Sequence, residues 1–363
     1  MVLEPVGRRI RALGAAAGLR SVLTPAVWGL LVMTWALPGQ ARTWHVPSEC
    51  PTINAANDSA AAGDTVLVGP GTYQVITPIQ PGPDVCLTSE EGAEATILEI
   101  CLCSNAIGLW QCEGARVSGF AIRNSPDPDC RDMFPTYGAV LYDCTDVIVE
   151  DCIIEGVGNG IDVAGSSGEW WKPAFRNNTI RSCGFGVYCT SPASDPGEPG
   201  RPYFTGNTIT ECVTGVYVGN SSPMFDGNEI THCRDRGMQY VGLCGGGCRA
   251  NRIAYHGGNG VEVIATEALD LPHFNGGFEP RYANDIYGNS GYAISYTGVT
   301  QSDGILAEFN YWGTRCPDGT LLFQGPVDFS PWMDSTHTEI LNEDDCPGAT
   351  EPTSWGAVKA LFK

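Results

Sequence analysis

Between Pro202 and Gly242 the chain writes one pattern twice, PYFTGNTITECVTGVYVG and then PMFDGNEITHCRDRGMQYVG. Each copy holds an aromatic residue, an Asn, an Ile two residues on, a Cys three beyond that, and a Gly opening a second apolar alternation. A unit this short cannot bury an apolar face alone, so it must stack on copies of itself as a solenoid. Asn-x-Ile recurs at Asn178-Ile180, Asn207-Ile209, Asn228-Ile230, Asn251-Ile253 and Asn284-Ile286, and Asn310-Trp312 is a degenerate last copy. Successive Asn residues lie 29, 21, 23, 33 and 26 apart, so the core unit is kept while one loop lengthens. Phe120-x-Ile122 and Cys152-x-Ile154 fill the same slot earlier in the chain.

After each Gly the first and third residues are apolar: Ile161 and Val163, Val187 and Cys189, Val216 and Val218, Met238 and Tyr240, Val261 and Val263, Tyr292 and Ile294. Strand side chains alternate in direction, which assigns these pairs to the interior. Parallel strands need right-handed crossovers. The expected fold is therefore all-β, a right-handed parallel β-helix with a short N-terminal capping helix. Forty-six Gly residues suit short strands joined by turns.

The formal charge is −21, and residues 1–41 contribute four arginines against Glu4, so the remainder carries −24 with three lysines. Such a field repels nucleic acid and anionic membrane, and disfavours an acidic polysaccharide unless arginines or a bound cation intervene. Residues 8–20 are basic, 21–37 apolar, and Gly39-Gln40-Ala41 offers small residues for cleavage, so residues 1–41 read as a signal peptide. A mature start at Arg42, secretion to an extracellular or periplasmic space, no membrane association after signal removal, and a monomer are expected. An uncleaved anchor is the competing account, with Pro25 and Pro38 leaving barely the length of a span.

The sixteen cysteines suit an oxidising compartment. Cys183, Cys212 and Cys233 occupy equivalent slots, with His256 next in line; packed thiols or one bridge among them both fit that spacing. Cys244 with Cys248, Cys101 and Cys103 with Cys112, and Cys316 with Cys346 are better bridge candidates. The Asn column reads as a ladder of stacked amides.

Residues 42–75 form the N-terminal cap: a short strand, a helix from about Thr52 to Ala62 ended by Gly63, and the strand Thr65 to Val68 turning at Gly69-Pro70-Gly71. The run PTINAANDSAAAGDTVLVGPGTY resembles the N-terminal cap of right-handed β-helix proteins of the pectin lyase-like superfamily, including pectinesterase-type and Nos-type carbohydrate-binding members. The likeness is close over residues 44 to 75, and the generic repeat extends it to about Trp332, where NYWG and VDFSPW resemble the closing coil. The β-helix itself is expected over 76–333, then an acidic linker and short tail over 334–363, the tail serving as a cap or a sorting signal.

Function is expected in two places. The residue between each buried pair points outward, giving Asp162, Tyr188, Tyr217, Gln239 and Glu262, and rings among polar groups suit a sugar chain. A solvated strand also shows polar residues. Long insertions over 164–173, 190–202, 242–247 and 265–280 follow the same strand and wall a cleft beside that strip. They supply Trp170 and Trp171 for stacking on the substrate, and Lys172, Asp195, Arg201 and Arg281 as candidate catalytic groups.

The resemblance implies carbohydrate chemistry, but the pectinesterase Glu is Val75 here, and its downstream motifs and the polygalacturonase motifs are absent. The expected activity is binding, with processing as a lyase or glycoside hydrolase left open; a noncatalytic structural or adhesive surface protein is the alternative. No cofactor is required, no metal ligand set is assigned, and calcium is admitted as an optional cation. Copper handling is disfavoured by five scattered histidines.

Overall fold

A computed structural model of the chain describes residues 40–130, 136–165, 173–190, 201–266, 271–274, 279–298 and 304–346. The fold is a right-handed parallel β-helix. Three sheets of nine strands run along it, each sheet taking one strand from each successive coil, and every strand pair within them is parallel.

Columns of buried side chains line each sheet. In the first sheet, in-register strands place Leu87, Val117, Val149, Phe175, Phe204, Phe225 and Cys248 above one another. Phe175, Phe204 and Phe225 stack with centroids 4.6 and 4.8 Å apart. The second sheet contributes Leu98, Ile122, Ile154, Ile180, Ile209, Ile230, Ile253 and Ile286, all buried. Trp312 follows Ile286, as a bridge between Asp285 and Tyr311 shows, so the degenerate last repeat keeps its place. Each such side chain contributes about 1.5–3 kcal/mol by leaving water.

Between the first two sheets runs the asparagine ladder. The Asn207 amide donates to Phe175 O at 3.0 Å and to Asn228 Oδ1 at 2.9 Å, and its own Oδ1 accepts the Asn178 backbone N–H and Nδ2, each at 3.0 Å. Asn228, Asn251 and Asn284 repeat the arrangement, and it ends at Asn310. Every amide valence is met in the dry interior, which removes the cost of burying a polar group.

In the regular coils two corners are made by single residues in the left-handed region. Asp151, Asn177, Gly206, Gly227 and Ala250 turn the first sheet into the second, and Ser182, Glu211, His232 and Tyr255 leave the second. A one-residue bend cannot lengthen without breaking register, which is why these corners carry no insertions. Most of the length variation falls in the connection from the third sheet to the first, and one long excursion, between Asn124 and Tyr137, joins the second sheet to the third.

The third sheet places Ile161 and Val163 in register with Val187 and Cys189, Val216 and Val218, Met238 and Tyr240, and Val261 and Val263, all buried as expected. The last pair departs from expectation. Val261 pairs with Ile294 and Val263 with Tyr296, while Tyr292 is 36% exposed. Ala293, rather than Gly291, takes the position of Gly260, because the turn here holds Asn289 four residues before the corner, as His256 stands four before Gly260.

The capping helix spans Ile53–Ser59, shorter than expected at its C-terminal end. Thr52 caps it by accepting the Ala55 N–H at 3.2 Å, and Ala60 is already extended. Asp64 stops continuation by accepting the Ala61 and Arg42 N–H groups at 3.0 and 2.8 Å, bonds that hold its pKa below the usual carboxylate range. Ile53 and Ala56 are buried over the first coil.

At the other end, the stretch expected as an acidic linker is folded. Trp332–Met333 pairs antiparallel with Ile340–Leu341, and Cys346 is bridged to Cys316. A second disulfide joins Cys101 to Cys130 rather than to Cys103 or Cys112, with Cα atoms 4.4 Å apart. Cys183, Cys212 and Cys233 are buried unbridged thiols, as are Cys244 and Cys248, which corrects the bridge expected between those two.

Candidate functional site

Outward side chains of the third sheet make a continuous strip along the axis. Strand register aligns Val140, Asp162, Tyr188, Tyr217, Gln239, Glu262, Ser295 and Gln324 in one column. All five outward residues expected from the alternation stand in it.

A second outward column lies beside the first, holding Tyr137, Asn159, Phe185, Thr214 and Arg236. These are three residues before the first column, not two, because a glycine corner interrupts the alternation. A Cβ on Gly186 would stand 2.6 Å from Gly215 O and 2.5 Å from Ile209 Cγ2, so no other residue fits there. The alternation read from sequence passes over this column, although counting outward from the glycine would have found it.

The strip changes character along its length. At its N-terminal end, Trp110 and Tyr142 are register partners, 41% and 47% exposed. A Cβ on Gly108 would lie 2.2 Å from the Trp110 indole, so the ring rests flat against the strand over that glycine. In the middle, Tyr188 and Tyr217 stack face to face, centroids 4.7 Å apart and planes 8° from parallel, with the Phe185 edge against both at 5.3 and 5.7 Å. The stacking distance is the strand spacing itself. At the C-terminal end, Glu262 accepts from Arg236 at 2.6 Å and from Gln239 at 2.7 Å, and the Ser295 hydroxyl donates to Gln324 at 2.7 Å.

Asp162 sits between the two aromatic parts. Its Oδ2 accepts from Asn159 Nδ2 at 2.7 Å. Burial pushes its carboxyl above the ordinary value, against the Asn159 bond, which favours the charged form. Burial likewise raises the Tyr188 phenol, with smaller contributions from Tyr217, Asp162 and Tyr137.

Of the expected catalytic groups, Arg201 and Arg281 are described, and neither is brought to this strip. Arg201 lines a cavity of about 290 Å³ with Met224, Gly246, Arg249 and His273, at the first sheet. Arg281 pairs with Glu279 and lies 4.9 Å from the Tyr282 ring. Trp170, Trp171, Lys172 and Asp195 lie outside the described residues. Asp162 and Glu262 are four strands apart, about 19 Å, well beyond the ~5–9.5 Å of a glycosidase carboxyl pair. Among the described residues no three His, Cys, Asp or Glu side chains gather to hold a metal ion, and no helix is long and apolar enough to cross a membrane.

The family model for a right-handed β-helix region matches residues 105–268. No curated protein sequence matches the chain. Among solved structures, the A-module of mannuronan C-5 epimerase AlgE6 from Azotobacter vinelandii shares 13% identity, covering 76% of this chain and 83% of that one, with a TM-score of 0.49. ORF18 of Geobacillus virus E2 shares 15%, over 77% and 58%, also with a TM-score of 0.49. PfbA, a surface adhesin of Streptococcus pneumoniae, shares 10%, over 71% and 78%, with a TM-score of 0.45. Likeness at this distance concerns the coil architecture and not what the strip holds.

Proposed function

We propose that this protein binds an extended polysaccharide along the outer strip of the third sheet, in the exported compartment where its two disulfides persist. The observation that carries the reading is the unbroken outward column in which stacked, half-buried tyrosines adjoin hydrogen-bonding groups. Sugar rings present apolar faces and polar rims, and such a surface meets both. Trp110 and Tyr142 extend the platform beyond the residues expected from sequence.

The strip supplies no second carboxylate at catalytic distance from Asp162 among its described residues, so the reading is one of binding. A panel of immobilised polysaccharides, with and without calcium, tests it. Retention is expected on at least one polymer, and is expected to fall about tenfold for Tyr188→Ala and for Trp110→Ala, each ring contributing on the order of 1–2 kcal/mol. Retention on none, with the variants folded, favours the structural or adhesive alternative.

A further inference from the structure

We infer that the polymer held on this strip is built of neutral sugars, with Asp162 as an acceptor for their hydroxyl groups. The inference rests on the binding reading above and concerns the charge of its ligand.

A polymer of uronic acids brings one carboxylate per residue, and each needs a cation or a set of free donors where it lands. Arg236 is the cation of the described strip, and it is engaged: its guanidinium donates to Glu262 at 2.6 Å, and Gln239 holds the same oxygen at 2.7 Å. A uronate displacing that contact would leave Glu262 facing another carboxylate. Next to the tyrosine pair the charge is Asp162, with no basic side chain in its own column or in the column beside it until Arg236. Like charges facing each other across a partly desolvated surface repel strongly and are not screened away as they are in open water.

The same arrangement suits hydroxyl groups. One Asp162 oxygen is held by Asn159 at 2.7 Å, which fixes the carboxylate beside the tyrosine pair and leaves the other oxygen to accept. An ionised acceptor makes shorter and stronger hydrogen bonds to hydroxyls than a neutral one does. A ring stacked on Tyr188 or Tyr217 places its rim of hydroxyls at that level of the coil.

The experiment is affinity electrophoresis of the full chain through soluble β-glucan, galactomannan and arabinan, and through alginate and polygalacturonate, each in chelator and in calcium. Binding to at least one neutral polymer is expected at no less than tenfold the affinity for either acidic one, together with a tenfold or greater loss for Asp162→Asn. Asn keeps the shape and removes the charge, and a thermal melt reports that the variant is folded. Tight binding of alginate or polygalacturonate overturns the neutral assignment while leaving the strip as the binding surface, whether it occurs in chelator or only with calcium. Full affinity of Asp162→Asn for the neutral polymers overturns the role of Asp162. Binding to no polymer overturns the strip reading and this inference with it.

Discussion

The two faces of one strand obey different rules in this molecule. Along the third sheet the inner face repeats Ile, Val and Met from coil to coil, whereas the outer face changes from Trp110 and Tyr142 through Asp162 and the tyrosine pair to Arg236, Glu262 and Gln324. The inner side chains meet packed apolar neighbours above and below, so any change of size disturbs two of them at once. The outer ones meet solvent or a ligand, and each coil is free to present something else. Repetition therefore marks what holds the coil together, and its breakdown marks the surface proposed here for binding.

The largest test of that contrast is at the asparagine ladder. Asn228→Ala removes donors to Phe204 O and Asn251 Oδ1 and the acceptor of two Asn207 bonds, all in the interior. It is expected to cost about 4 kcal/mol in urea denaturation, because each orphaned buried group costs on the order of 1–3 kcal/mol. Binding per folded molecule should not change. A cost under about 1 kcal/mol would show the ladder to be dispensable.

A smaller effect is expected at the one interior imidazole of the thiol column. His256 Nδ1 accepts the Cys233 N–H at 3.1 Å, which leaves the proton on Nε2, a buried atom without a partner. Burial depresses its pKa to about 4. The unfolded chain, with a histidine near 6.5, takes up the proton first. Stability contributed by the neutral ring is complete above about pH 6.5 and is lost as the pH falls toward 4, by about 3 kcal/mol. The difference between the native chain and His256→Asn, measured by denaturation at pH 7 and at pH 4.5, isolates this from the carboxylates that titrate in the same range. An equal acid sensitivity in both proteins would remove His256 from the account.

The smallest effect belongs on the outside. A double-mutant cycle on Tyr188→Ala and Tyr217→Ala should give a coupling of about 1 kcal/mol in stability, since the rings stack on each other at the surface beside Phe185. The same pair should lose most of the polymer affinity. A larger effect on stability than on binding would reverse the contrast between the faces.

Most of the scaffold was legible because it repeats: the Asn-x-Ile unit, the apolar pairs and the edge bearing insertions each recur often enough to align. The failures fall where repetition lapses. Gly291 stood at the expected distance for a corner, but the preceding turn is one residue longer than those after Cys183 and Cys212, and Ala293 takes the corner instead. Cys130 lay far from Cys101 in sequence, yet one coil of chain brings them to bonding distance. Of the site, the central outward column was readable, whereas Phe185 and Arg236 were hidden by a glycine that resets the alternation. Trp110 and Tyr142 precede the regular repeats, and their place in the strip emerges from backbone register alone.

The asparagine ladder has a sense of direction. Each amide donates toward the C-terminal neighbour and accepts from the N-terminal one, so every rung ends in the same connector and begins in the same socket. Residues 207 to 227 constitute one such rung, and in their absence Asn178 would meet Asn228 with the connection it now makes to Asn207. A chain of this kind can gain or lose a whole coil without a new interface, and the length of the outer strip is set by the number of rungs.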